Sequence, residues 1–122
     1  MLFAIINNMI SAKYRFHGYG SLNYLHRKGK TVRGKLMSVR FIANSKRQNP
    51  RFSVIVSKKV YKSAVKRNRI RRRIYEIIRA NINEKSPIID VAIIVYSPEV
   101  LDLPADSLKS QVESLLKETG LI

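Results

Sequence analysis

The sequence predicts an α+β sandwich: one sheet with helices packed on it. Three observations carry this. Over Arg33–Asn44 (RGKLMSVRFIAN) the residues Met37, Val39, Phe41 and Ala43 make a uniformly apolar alternate set, as a half-buried strand requires. Over Ser63–Asn81, Ile70, Ile74, Ile77 and Ile78 recur at helical spacing and form one apolar stripe. Ile88–Tyr96 (IIDVAIIVY) is apolar nearly throughout, which suits a central strand covered on both faces. The 122 residues favour one domain, and a domain of that length buries roughly two-thirds of its unfolded surface.

The elements follow in order. Residues 1–8 (MLFAIINN) are apolar and uncharged, unlike the basic n-region and longer apolar core of a signal peptide. Residues 1–12 read as a tail, with Met9 as an alternative start, and 13–122 as a single α/β domain. Lys13–Gly20 (KYRFHGYG) holds two glycines and predicts an extended lead-in. Ser21 can cap a short helix running to Lys28 and ended by Gly29, with Leu22 and Leu25 on one side and His26 one turn from Leu22. In the strand from Arg33 the second alternate set, Leu36, Ser38, Arg40 and Ile42, mixes apolar and polar residues, so that sheet face is partly open. Asn44–Pro50 (NSKRQNP) is turn-rich and leads to a second strand, Arg51–Ser57. Ser63 caps the long helix, and Ser86-Pro87 breaks the chain after it. That helix joins two strands across a long crossover, which allows them to be parallel. Pro98 ends the last strand. Leu108, Val112, Leu115 and Leu116 make the stripe of a closing helix, Ala105–Glu118, with Pro104 and Asp106 suited to its start and Lys117 and Gly120 to its end.

Charge is the feature that speaks to function. Lys and Arg number 24 against 8 Asp and Glu, a net of +16, and the first acidic residue is Glu76. The front of the chain, residues 1–75, carries a net +20 and the rest −4. Soluble surfaces normally intersperse both signs, so a front half without acids is built for a polyanion. The charge is densest over Lys58–Arg73, where nine of 16 residues are basic: Lys58, Lys59, Lys62, Lys66, Arg67, Arg69, Arg71, Arg72 and Arg73. On a helix, Asn68, Arg69, Arg72 and Arg79 point away from the isoleucine stripe, and Arg67 falls in the first turn. A merely solvated face would carry i,i+4 Glu–Lys pairs. None occurs here before Glu76, and the planar arginine fork suits bidentate phosphate contact.

Several function classes are excluded or disfavoured. The chain has no cysteine, hence no disulfide, thiolate metal site or cysteine nucleophile. No apolar run reaches the roughly 20 residues of a membrane span, and the basic helix has no tryptophan to anchor on a bilayer, so no membrane partner is expected. Zinc-finger spacing and basic-zipper heptads are absent, and a strand rather than a helix precedes the basic helix, against a helix-turn-helix. A sheet with basic side chains beside a basic helix fits single-stranded or structured RNA. The carboxylates are scattered, and His17 and His26 have no acidic neighbour in sequence, so no catalytic or metal-ligating set is expected on the protein. Any chemistry then belongs to a partner.

The run Ser57-Lys58-Lys59-x₆-Lys66-Arg67-Asn68-Arg69-Ile70-Arg71-Arg72-Arg73-Ile74-Tyr75-Glu76 resembles the arginine-rich signature of the bacterial ribonuclease P protein subunit, whose Arg-Asn-Arg core opens a helix between two strands. Arg15-Phe16, Leu22-x-x-Leu25-His26-x-x-Gly29, the strand Phe52–Lys59 and the run Asp90–Val95 resemble other family features in the same order, so the likeness covers about residues 13–118. The resemblance implies a four-stranded mixed sheet in α-β-β-β-α-β-α order with a left-handed β-α-β crossover. It implies a small cytoplasmic protein that binds a catalytic RNA subunit through Lys58, Lys59, Lys62, Lys66, Arg67, Asn68, Arg69, Arg71, Arg72 and Arg73. A cleft matching Leu22, His26 and Arg40 would hold the 5′ leader of precursor tRNA. Leader cleavage would use Mg2+ held mainly by the RNA and substrate, with no obligate protein partner. Two departures stand out: the stretch Lys59–Val65 is one residue longer than is common and lacks glycine, and the cleft positions are less aromatic. The competing class is a non-enzymatic RNA binder, such as a small ribosomal or nucleoid protein.

Overall fold

A computed structural model describes residues 12–15, 19–44 and 46–122. The tail before residue 12 and His17 lie outside that set. A short 3₁₀ turn, Ala12–Tyr14, precedes α1 (Tyr19–Lys28), β1 (Lys30–Arg33), β2 (Met37–Ala43), β3 (Arg51–Val56), α2 (Ala64–Asn81), β4 (Ile89–Val95), a 3₁₀ turn (Pro98–Leu101) and α3 (Ala105–Glu118). The sheet runs β1-β2-β4-β3. β1 and β4 pair antiparallel with β2, and β3 lies parallel to β4, the two being joined through α2.

The alternation in β2 places Met37 and Val39 in the main core with Phe52, Val54, Val91 and Ile93 of the neighbouring strands. Ile70, Ile74 and Ile78 of α2 and Leu108, Val112 and Leu116 of α3 close over that face. The opposite face is covered in part by α1, whose Leu25 packs on Ala92 with Leu22, Ile42 and Ile55 around it. β4 is therefore buried on both sides, which explains its apolar sequence. Its one acid, Asp90, is buried and satisfied: Arg51 grips it through two hydrogen bonds of 2.9 and 2.8 Å, and the Asn44 amide donates a third at 2.8 Å. The outer edge of β3 is covered by α2, where the Val54 N–H donates to the Tyr75 hydroxyl at 3.1 Å.

Two expectations are corrected. The stretch from Arg33 is divided: Lys30–Arg33 is a separate edge strand, and the chain turns at Gly34, whose N–H donates to the Met37 carbonyl at 2.8 Å. A Cβ on Gly34 would stand only 2.8 Å from that oxygen, so the tight turn requires glycine. The lead-in is not extended throughout. Ala12–Tyr14 is helical, Arg15 bridges to Phe52, and α1 begins at Tyr19 rather than after Ser21. Gly20 falls in the first turn, where amides lack intrahelical partners in any case. No helix among the described residues is long and apolar enough to cross a membrane.

Candidate nucleic-acid interface

α2 begins where the sequence predicts. Ser63 is extended, and its hydroxyl accepts the Lys66 N–H at 3.3 Å. Before it, the turn at Ser57 is closed by the Val60 and Tyr61 amides, both donating to the Ser57 carbonyl. No described residue other than glycine adopts a positive φ, so this longer loop forms without needing glycine.

The structure sorts the basic cluster into two groups. Lys58, Lys59, Lys62, Lys66, Asn68, Arg69 and Arg72 are exposed. Three arginines are half-buried and engaged. Arg67 donates to the Tyr61 and Lys62 carbonyls, both at 2.8 Å, and so staples the loop to the helix. Arg71 donates to the Asn68 side-chain oxygen. Burial, and secondarily the Arg67 charge, push the Arg71 guanidinium below its usual range. Arg73 does not join the outward group: it faces α3's approach and donates to the Val100 and Leu101 carbonyls at 2.7 and 2.9 Å, and to that of Leu103. Arg79 pairs with Glu76 at 2.6 Å, so the outward charge fades after the first two turns.

The three positions expected in a cleft do come together. Leu22 and His26 of α1 and Arg40 of β2 line a concavity of about 450 Å³ between the helix and the sheet. Its floor is Ile55, Ala92 and Ile94, and Asn23 and Leu25 complete the helix wall. Sequence reasoning missed the floor because both faces of β4 are apolar and its alternation is silent. The one available signal was Ala92, a small residue opposite Arg40 that leaves room above the sheet. No carboxylate lines the cleft. The Arg40 guanidinium turns toward the end of α1, donating to the Thr31 hydroxyl at 2.8 Å and to the carbonyls of Leu25, His26 and Gly29. A second basic concavity, of about 350 Å³, lies at the β2–β3 loop among Lys13, Lys46, Arg47 and Arg51. Among the described residues no three His, Asp or Glu side chains gather as a metal site.

Residues 10–120 match the family model for ribonuclease P. The chain belongs to the ribonuclease P protein family. It is 30% identical over 118 residues to the ribonuclease P protein component of Prochlorococcus marinus, covering 87% of this chain and 93% of that one. To the protein component of a Synechococcus strain it is 27% identical over 128 residues, covering 93% and 98%. A Staphylococcus aureus RNase P protein mutant with defective mRNA degradation activity shares the fold at a TM-score of 0.81 and 22% identity, covering all of this chain and 98% of that one. The Thermotoga maritima RNase P protein does so at 0.74 and 23%, covering 85% and 96%. Membership of the ribonuclease P protein family decides against the ribosomal or nucleoid alternative.

Proposed function

We propose that this protein component of ribonuclease P, the ribonucleoprotein endonuclease of tRNA 5′ maturation, grips the catalytic RNA with the outward face of α2 and takes the precursor tRNA leader into the α1–sheet cleft. The observation that supports this most is the pairing of a cationic helix face, with no acid before Glu76, with a separate cleft that has no carboxylate. Exposed Lys58, Lys59, Lys62, Lys66, Arg69 and Arg72 meet phosphates, and the Asn68 amide nitrogen donates to an RNA edge or 2′-hydroxyl. The loop held by Arg67 keeps its lysines at the start of the helix, where amide N–H groups add to anion binding.

The cleft reads the leader by apolar and imidazole contact over a floor of Ile55, Ala92 and Ile94. Its positive surroundings offset the repulsion between two RNA chains. Magnesium supplies the hydrolytic chemistry on the RNA and substrate, and the protein orients the leader. These partners imply a cytoplasmic location.

The experiment is cleavage of precursor tRNA by the catalytic RNA at limiting magnesium, with and without the protein. The protein should bind the RNA, accelerate leader release and favour precursor over mature tRNA. A protein that neither binds the catalytic RNA nor changes cleavage refutes the reading.

A further inference from the structure

A helix leaves its last carbonyls without intrahelical partners. In α1 the junction is tight. The Gly29 N–H donates to the Leu25 carbonyl at 2.8 Å, and a Cβ on Gly29 would meet that oxygen at 2.5 Å and the Phe41 carbonyl at 3.1 Å. Arg40, beside Phe41 on β2, reaches across this junction. Its fork takes the Gly29 carbonyl at 3.2 Å, the His26 carbonyl, the Leu25 carbonyl at 3.5 Å and the Thr31 hydroxyl at 2.8 Å. A fixed cation there also faces the negative end of the helix dipole.

We propose that Arg40 is a positioning residue for leader binding: its guanidinium clamps the C-terminal end of α1 to β1 and β2, and thereby sets the width of the cleft and the place of Leu22 and His26. This rests on the reading of the cleft as the leader site. Arg40 acts through α1 rather than by offering its charge to the leader, because its donors already point at protein oxygens. A lysine would keep the charge but, as a single point donor, cannot span four acceptors on two elements.

The test separates clamp from charge with Arg40→Lys, Arg40→Ala and Thr31→Val, the last keeping the guanidinium and removing one acceptor. Two quantities are read: amide hydrogen exchange in the free protein, and precursor against mature tRNA affinity of the complex reassembled with the catalytic RNA. For both Arg40 variants, exchange protection over residues 23–29 should fall about ten-fold while β4 amides hold theirs. The precursor preference should fall by a similar factor, with mature tRNA affinity within two-fold of wild type. Thr31→Val should give a smaller loss of the same kind, and it keeps the test open if an Arg40 variant does not fold. An Arg40→Lys protein with wild-type α1 protection and precursor preference overturns the clamp in favour of a charge contact. Loss of α1 protection with the preference intact overturns its role in leader binding. A wild-type complex without any precursor preference overturns the leader reading itself, and α1 exchange then decides the clamp alone.

Discussion

Replacing Lys62, Arg69 and Arg72 together with alanine tests the outward face of α2 and the loop before it at residues that the fold does not need. All three are exposed. Each phosphate contact contributes about 0.7–0.9 to the log–log dependence of RNA affinity on salt, so the triple variant should lower the slope by about 2–3. At 0.1 M salt that is an affinity loss of roughly 100- to 500-fold, and the two proteins should converge toward 1 M. The assay is filter or fluorescence binding to the catalytic RNA over a salt series. Arg73→Ala is the matched control. It removes one charge from the same helix, but its donors serve the Val100, Leu101 and Leu103 carbonyls. It should cost about 2–3 kcal/mol of stability while changing the slope by less than about half a unit. An unchanged slope in the triple variant, or a full-unit change in Arg73→Ala with stability intact, refutes the division of the cluster.

Three further outcomes are expected. Tyr75→Phe removes the acceptor for the Val54 N–H and should cost about 1–2 kcal/mol by urea unfolding at pH 8. Burial raises the Tyr75 hydroxyl above its ordinary value of 10.0 in the folded protein. Its stabilisation is therefore complete below that pH and lost as pH climbs through the folded value, so the gap between wild type and variant should narrow in alkali. Asn68→Ala should weaken binding to the catalytic RNA more than to bulk RNA, and equal losses in a competition assay would reduce Asn68 to a spacer. His26→Phe enlarges the stacking surface in the cleft; base–aromatic stacking is worth roughly 1–3 kcal/mol, so precursor tRNA binding should hold or tighten up to about ten-fold while mature tRNA binding stays constant. Weaker precursor binding would mean that the imidazole nitrogens make the contact.

The long elements were legible because packing and local pattern agree. Ser63 as cap, the isoleucine stripe of α2, the closing helix at Ala105–Glu118 and the doubly covered β4 all stand where period and punctuation put them. The long crossover allowed β3 and β4 to be parallel, and they are. β1 was hidden because KTVR is short, polar and on an edge, with only Val32 turned inward. The start of α1 was hidden because two glycines read as a break, while a helix's first turn tolerates one. In the cleft, the wall residues Leu22, His26 and Arg40 were named through the family resemblance, and the structure brings them together. The floor could not be named, because nothing in an unbroken apolar run says which alternate residue faces a helix and which an opening.

The basic cluster shows the sharper limit. Net charge counts Arg67, Arg71 and Arg73 with their neighbours, yet Arg67 and Arg73 donate to backbone carbonyls of the protein and Arg71 to the Asn68 side chain. What distinguishes Arg67 and Arg73 is position: Arg67 lies where α2 meets the loop before it and Arg73 where it meets the chain leading into α3, each donating to two or three backbone carbonyls. Arginine suits those places, since one planar fork serves two or three carbonyls at once, whereas an ammonium acts as a point donor. Lysine appears at 58, 59, 62 and 66, in the loop and first turn, where a flexible cation can follow a phosphate. The same residue type thus stands in two settings on one helix, anchored by backbone carbonyls on the side toward the fold and exposed on the other, the side that the proposed function gives to RNA. If only the exposed set meets phosphates, the salt slope of RNA binding should be smaller than the nine charges of the segment imply, and the salt series on the triple variant measures it.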